Sequence, residues 1–307
     1  MSNRKLGGAK MKVYRVACFA LFLMVLVSGC ANKAETLPRF VWPAPPDQPK
    51  LEFVGNFYSE NDLEKSQGLE VVNKFLGEQR EFTFITPFGV ASDGKGRVYL
   101  SDTHAKTVWL CDFNAHSITP ISKLQFFQAP TNMDIDSSGN LFVADVEKGR
   151  VLKLSSEHKL LETIEHEKLG RPAYLALSPD EKRLYVSDTE QHKVVVFDAQ
   201  SGTYLFDFGG QGTGEGSFYS PQGLAFSPAG ELFVVDTLNA RIQVMKPDGS
   251  YIRSFGERGD RPWQLEWPKD VAFDSDGNLY VIEARSSVIK TFTPQGELLL
   301  VTGAGRA

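Results

Sequence analysis

One segment plan recurs five times along this chain and constrains the fold more than any other feature of the sequence. Each copy begins with a proline and a short, mostly apolar stretch, as in Pro87-Phe-Gly-Val-Ala-Ser-Asp and Pro221-Gln-Gly-Leu-Ala-Phe-Ser. The other copies begin at Pro130, Pro172 and Pro268. A turn containing Gly or Pro follows, and then a strand-like run that ends in an acidic residue. The repeat predicts an array of similar units.

The length of one repeat and its pattern indicate the type of unit. The strand-like runs are Val98–Asp102, Leu141–Asp145, Leu184–Asp188, Leu232–Asp236 and Leu279–Glu283, and their terminal acids lie 43 to 48 residues apart. The fourth copy predicts four strands, at Leu224–Phe226, Leu232–Val235, Ile242–Met245 and Tyr251–Phe255. Four short antiparallel strands in a period of ~40–45 residues are typical of one blade of a β-propeller. The predicted fold is therefore an all-β propeller.

The repeats resemble the NHL family, whose blades read Pro-x-Gly-Val-Ala-Asp, then Gly-x-x-Tyr-Val-x-Asp, then Asn-x-Arg-Ile. The fourth copy is the most similar, through Asp236, Asn239, Arg241 and Ile242. The resemblance covers nearly all of residues 81–303. It extends to bacterial lipoproteins of this family with a proline-rich lead and six blades, because Trp42-Pro-Ala-Pro-Pro precedes Lys50-Leu-Glu-Phe-Val-Gly here.

The number of repeats departs from that family type. Five full repeats are present, and Leu51–Phe57 reads as an outer strand without the three inner strands of its blade. Two readings remain: a ring that closes with five blades, or a chain cut short that leaves exposed sheet edges, which invite pairing with other chains. We expect six-bladed geometry with an incomplete sixth blade.

The N-terminal region predicts export and lipid attachment. Residues 1–29 combine a basic start with an apolar run from Val16 to Val27, which is too short to span a bilayer and reads as a signal peptide. Val27-Ser-Gly-Cys resembles a lipobox, which implies that Cys30 is acylated and becomes the mature N-terminus. Residues 30–50 then form a proline-rich linker. Residues 51–307 form the propeller, with a helical insertion at 59–80.

Charge and export narrow the range of partners. Without residues 1–29, the chain carries 28 basic and 38 acidic side chains, a net charge of −10. Binding to a nucleic-acid backbone depends on clustered Lys and Arg, so nucleic acid is excluded as a partner. We expect a protein, peptide or glycan partner in the cell envelope. Ala31 after Cys30 favours the periplasmic face of the outer membrane.

The terminal acids of the five repeats are interpreted as structural. A catalytic site brings unlike groups together once, whereas these acids recur in every blade. We expect each to cap the turn after its strand, and three to pair with the base five positions later, which is Arg150, Lys193 or Arg241. The set comprises Asp102, Asp145, Asp188, Asp236 and Glu283.

Antiparallel topology predicts the binding face. The turns between second and third strands and the connectors between blades emerge on one side, where propellers generally recognise partners through variable loops on a rigid frame. The residues expected there are His104, Lys106, Glu147, Lys148, Glu190, Gln191, His192, Leu238, Asn239, Arg285 and Ser286.

No catalytic or metal-binding motif accompanies this face. Among the five His, only His104 and His192 fall on it, and no His-x-His or His-Glu-x-x-His spacing occurs. We therefore expect neither a catalytic residue, nor a metal, nor a cofactor. The favoured function is a non-catalytic binding scaffold of the envelope. The alternative is a metal-dependent propeller lyase or a lactonase-type hydrolase.

Overall fold

The computed structural model describes residues 41–42, 51–52, 84–121 and 126–303. The chain divides into two compact units, Met1–Val54 and Gly55–Ala307. In the first unit, β1 (Val41–Trp42) and β2 (Leu51–Glu52) form a two-stranded antiparallel pair in which Trp42 is opposite Leu51.

The second unit contains five four-stranded antiparallel sheets, named blades I to V in chain order. Blade I comprises β3 (Pro87–Ser92), β4 (Arg97–Asp102), β5 (Thr107–Asp112) and β6 (Ser117–Pro120). Blade II comprises β7 (Pro130–Ile135), β8 (Leu141–Asp145), β9 (Arg150–Leu154) and β10 (Leu160–Ile164). Blade III comprises β11 (Pro172–Leu177), β12 (Arg183–Asp188), β13 (Lys193–Asp198) and β14 (Tyr204–Gly209).

Blades IV and V follow the same order. Blade IV comprises β15 (Pro221–Phe226), β16 (Leu232–Asp236), β17 (Arg241–Met245) and β18 (Tyr251–Phe255), with a 3-10 helix at Thr237–Asn239. Blade V comprises β19 (Pro268–Phe273), β20 (Leu279–Glu283), β21 (Val288–Phe292) and β22 (Leu298–Thr302). Each sheet pairs its strands in chain order, as in a propeller blade.

The blades stand side by side, with their first strands innermost. The first strands are neighbours in the order β3, β7, β11, β15, β19. Apolar side chains of successive blades fill the space between them. Between blades IV and V, for example, Phe233 and Ile242 pack with Val281 and Phe292. This alternation buries both faces of a sheet, which explains why the middle strands are apolar on both sides.

Polar bonds also join the blades. The Tyr185 hydroxyl of blade III donates to the carbonyl of Pro247 in blade IV at 2.7 Å. The Lys153 ammonium of blade II reaches the carbonyl of Ala199 in blade III at 2.8 Å. Because buried polar groups need partners, these bonds fix the blades in register as well as in contact.

The predicted all-β propeller of four-stranded blades is confirmed, with five blades in the described part of the chain. An incomplete sixth blade is not found there and stays a prediction. Cys30, the signal peptide and the helical insertion at 59–80 lie outside the described residues, as does most of the linker at 30–50. Within the described ranges, no helix has the length and apolar character needed to cross a bilayer.

Candidate functional site

The five terminal acids hold the connectors between blades. Each side chain is fully buried and accepts hydrogen bonds from backbone amides just before the first strand of its own blade. Asp102 accepts from Ile85 and Thr86, at 2.7 and 3.0 Å, and Asp188 accepts from Gly170 and Arg171, at 2.6 and 3.1 Å. The sequence did not indicate these connector amides as partners.

The acids also bind the turns that follow them. Asp188 accepts from the amides of Glu190 and Gln191, at 3.0 and 2.9 Å. Arg150 lies 3.3 Å from Asp145, and Arg241 lies 2.8 Å from Asp236. Lys193 differs from the expectation, because its ammonium pairs with Asp207 at 3.0 Å instead of with Asp188. Each acid therefore joins a connector to a turn on one face of the ring.

We call this face the connector face. It carries the turns between second and third strands, and all the residues expected at the binding face lie on those turns. His104, Lys106, Glu147, Lys148, Glu190 and Arg285 are exposed. Asn239 and His192 take part in local hydrogen bonds, since Asn239 Nδ2 donates to Gly212 O at 2.9 Å and His192 Nδ1 accepts from the amide of Ser220 at 3.0 Å.

A pocket of about 630 Å³ opens on this face at the centre of the ring. We call it the channel mouth. Its wall includes the second residue of the first strand of every blade, a set formed by Phe88, Thr131, Ala173, Gln222 and Lys269. Arg171, Tyr174 and Glu190 also line it, so Glu190 is the one residue of the committed binding set that reaches this pocket.

Two rings form an aromatic part of the channel mouth. Phe88 of blade I and Tyr174 of blade III lie with centroids 5.6 Å apart, although blade II separates their blades in the ring order. Phe88 is half exposed, whereas Tyr174 is buried. The pair therefore narrows the channel and presents an apolar surface to an incoming ligand.

Lys269 is the basic group of blade V at this pocket. Its ammonium lies 3.1 Å from Gln222 Oε1 and 5.6 Å from the centroid of the Trp267 ring. Partial burial lowers the pKa of Lys269, because the charged form loses hydration. The guanidinium of Arg171 adds a second positive charge to the same wall, and Glu190 adds a negative one.

Deeper in the channel lies a second cavity of about 500 Å³, lined mainly by apolar first-strand residues of blades II to V. Two carboxyl groups, Asp134 and Asp270, lie in its wall. Withdrawal from water raises the pKa of Asp270 to about 7 and also raises the pKa of Asp134. Asp134 accepts backbone amides of Leu177 and Ile135, both at 2.8 Å, which stabilise its charged form and oppose that rise.

The sequence did not single out these channel residues. The second position of the first strand holds Phe, Thr, Ala, Gln and Lys, so it has no common chemistry that a motif would reveal. The available signal was the reverse: variable residues directly after an invariant proline of the repeat. Within the described residues, no group of three or more His, Cys, Asp or Glu is arranged to hold a metal ion.

The fold and the channel define the class: a β-propeller whose blade-to-blade frame surrounds an open axial channel. Residues 218–245, within blade IV and its connector, match the NHL repeat.

A curated relative covers a larger part of the chain. Peptidyl-glycine alpha-amidating monooxygenase of Mus musculus is 31% identical over 157 residues, which are 46% of this chain and 16% of that protein. The chain thus matches about one sixth of the length of that relative.

Solved structures are similar in fold. Virginiamycin B lyase from Staphylococcus aureus, in a catalytically inactive form with quinupristin, superposes with a TM-score of 0.55 at 14% identity. The alignment covers 69% of this chain and 68% of the lyase. A nidogen/laminin complex gives a TM-score of 0.57 at 17% identity, covering 73% of this chain and 84% of the matched chain. At such identities the likeness shows the fold alone.

Proposed function

We propose that this protein is a binding scaffold that recognises a protein or peptide partner on the connector face. The channel mouth carries this proposal, because it collects one side chain from the first strand of each blade into a single pocket. Basic groups, an acid and an exposed aromatic ring around a concave site are suited to an amphipathic chain segment. The solved nidogen/laminin complex supports protein binding as a use of this fold.

An affinity experiment tests this proposal. The full chain serves as bait for a detergent extract of the cell envelope of the source organism, and bound proteins are identified by mass spectrometry. We expect the double variant Arg171→Ala/Lys269→Ala to lose a partner that the unmodified chain retains. Lys182→Ala/Lys246→Ala is the matched control, since both lysines are exposed and lie on turns of the opposite face. Equal capture by all three baits would contradict the proposal.

We also propose export with a lipid anchor at Cys30, at the periplasmic face of the outer membrane. The signal-like residues 1–29 and the lipobox-like Val27-Ser-Gly-Cys support this localisation. The Cys30→Ser variant is expected to leave the membrane fraction, while the unmodified chain stays in it. Mass spectrometry of the unmodified N-terminal peptide should then show a diacylglyceryl mass, and an unmodified Cys30 would refute the anchor.

A lyase or hydrolase activity is the second candidate. The specific observation in its favour is the Asp270 carboxyl, since a group that titrates near neutral pH can accept or donate a proton in a reaction. The similarity in fold to virginiamycin B lyase supports the same candidate. Incubation with quinupristin and simple lactones, together with metal analysis, tests it. Turnover that depends on stoichiometric zinc or calcium and is lost on chelation would favour the enzyme over the scaffold.

The curvature of the ring belongs to the same set of proposals. We propose six-fold curvature with an open seam between blade V and blade I, where the sixth blade is incomplete. The second cavity supports this geometry, since Val90 of blade I and Ile282 of blade V line it together.

A further inference from the structure

Four of the five blades bury one strand pair against the next blade. We call the side of a blade that packs on its successor the forward face. The central forward-face pairs are Ser101 and Val108, Ala144 and Val151, Ser187 and Val194, and Val235 and Ile242, in blades I to IV. All eight side chains have 0% exposure. A blade of this protein therefore completes its core only when a sheet covers its forward face.

Blade V has the same pair but lacks the cover. Ile282 and Ile289 are opposite each other on β20 and β21, and they are 45% and 38% exposed. The other wall of the seam repeats the contrast. Val90 of blade I is 63% exposed, whereas the residues at its register in blades II to V, which are Met133, Leu175, Leu224 and Val271, are 3% to 6% exposed. Two apolar sheet faces are thus left open on either side of one seam.

A polar group on blade V indicates what the missing neighbour supplies. At the third position of its first strand, blade II carries Asn132, whose Oδ1 accepts the backbone amide of Leu175 in blade III at 3.1 Å. Asp270 holds the same position in blade V. Among the described residues, its carboxylate accepts a single hydrogen bond, from the adjacent amide of Val271 at 2.8 Å. By analogy, its free acceptor capacity suits the backbone N–H of an extended strand.

We propose that the seam between blades V and I binds an extended apolar strand from a partner protein. The strand lies along β19 as β11 lies along β7, donates a backbone N–H to Asp270 and covers Ile282 and Ile289 with apolar side chains. The occupant is a strand because the four internal junctions provide the template, and because an open sheet face is completed most readily by another strand. This binding surface goes beyond the proposed function, since it does not use the channel mouth.

The chain supplies its own probe. A fluorescein-labelled peptide with the sequence of residues 219–237 contains the first two strands of blade IV, which cover the forward face of blade III. We expect the full chain to bind this peptide, and Ile289→Asp to weaken binding by about tenfold or more, because a carboxylate would be buried in the contact. Asp270→Ala should also weaken it. Leu161→Asp is the matched control, since Leu161 is 54% exposed on the outer strand of blade II.

Two results would overturn the proposal. One is peptide binding that is absent, or that Ile289→Asp leaves unchanged while thermal unfolding shows an intact fold. The other is a seam that is already covered. In a chain whose three native cysteines are replaced, Ile282→Cys should react with maleimide as fast as Leu161→Cys. Protection in a monomer would assign the seam to this chain itself, and protection that appears with dimerisation would assign it to a second copy.

The channel-mouth proposal has a separate readout. The Arg171→Ala/Lys269→Ala variant should bind the peptide normally, because neither residue lines the seam cavity. Failure at the seam and failure at the mouth are therefore distinguishable.

Discussion

At the scale of single residues, the close approach of neighbouring blades depends on a missing side chain. Gly223 lies on β15, and a Cβ atom there would come within 2.6 Å of the Cα of Asp270 on β19. Gly89 stands at the same position in blade I and would meet the carbonyl oxygen of Thr131 at 2.6 Å. The first strands can therefore line a narrow channel because glycine occupies these contact points.

The first prediction concerns this contact. Gly223→Ala should lower the free energy of unfolding by about 1–3 kcal/mol, because the added methyl group has no space against backbone atoms. Gly214→Ala is the matched control, since no atom lies within 4 Å of its Cβ position. Urea unfolding of both variants measures the difference. Equal stability of the two variants would show that β15 and β19 do not approach so closely.

The second prediction concerns the titration of Asp270. Burial raises its pKa from 3.8 to about 7, so the folded state holds this proton more tightly than the unfolded state does. The resulting stabilisation is fully present below about pH 4 and is lost as the pH rises through about 7. Asp270→Asn removes the ionisation, and Asn can still accept the amide of Val271.

Unfolding experiments over this pH range test the titration. The stability of the Asn variant relative to the unmodified chain should increase between about pH 4 and pH 8 and then level off. A difference that does not change with pH would mean that Asp270 titrates like an ordinary exposed carboxyl.

At the scale of the blade, the terminal acid connects three parts of the chain. Asp236 accepts the amide of Tyr219 at 2.7 Å, Asn239 Nδ2 at 2.8 Å and Arg241 Nε at 2.8 Å. The same acid therefore ends a strand, caps the turn after it and holds the connector before its blade. Its recurrence in all five repeats follows from this geometry, because every blade needs all three ties.

The third prediction tests this tie. Asp236→Ala should cost about 3–5 kcal/mol, because it leaves the guanidinium of Arg241 without its partner in a largely buried setting. Asp260→Ala is the control, since Asp260 is exposed on a connector. Thermal unfolding followed by circular dichroism measures both. A loss below about 1 kcal/mol for Asp236→Ala would assign the acid a minor role.

Sequence reasoning succeeded where the repeat fixes chemistry and failed where it does not. The strand ends at Asp102, Asp145, Asp188, Asp236 and Glu283 were predictable because the same acid position returns in each period. The partner of Lys193 was not, because spacing along the chain cannot tell that β14 brings Asp207 beside it. The channel mouth was missed for the same reason, since its wall exists only once five first strands face one axis.

At the scale of the whole molecule, the ring separates frame from site. The acids, the glycines and the apolar cores repeat and hold the blades, whereas the residues directed into the channel vary from blade to blade. This division lets one frame carry a single asymmetric pocket. It also explains why five similar units can present one binding site and not five.

The central claim is that first strands far apart in the chain converge around one channel mouth. Cross-linking tests it most directly, in a cysteine-free chain that carries Thr131→Cys on blade II and Lys269→Cys on blade V. We predict that a short bismaleimide joins this pair within one molecule, as detected by mass spectrometry of tryptic peptides, and does not join a control pair of Thr131→Cys and Leu161→Cys. If both cysteines of the channel pair react singly and never cross-link, the convergence of the blades is contradicted.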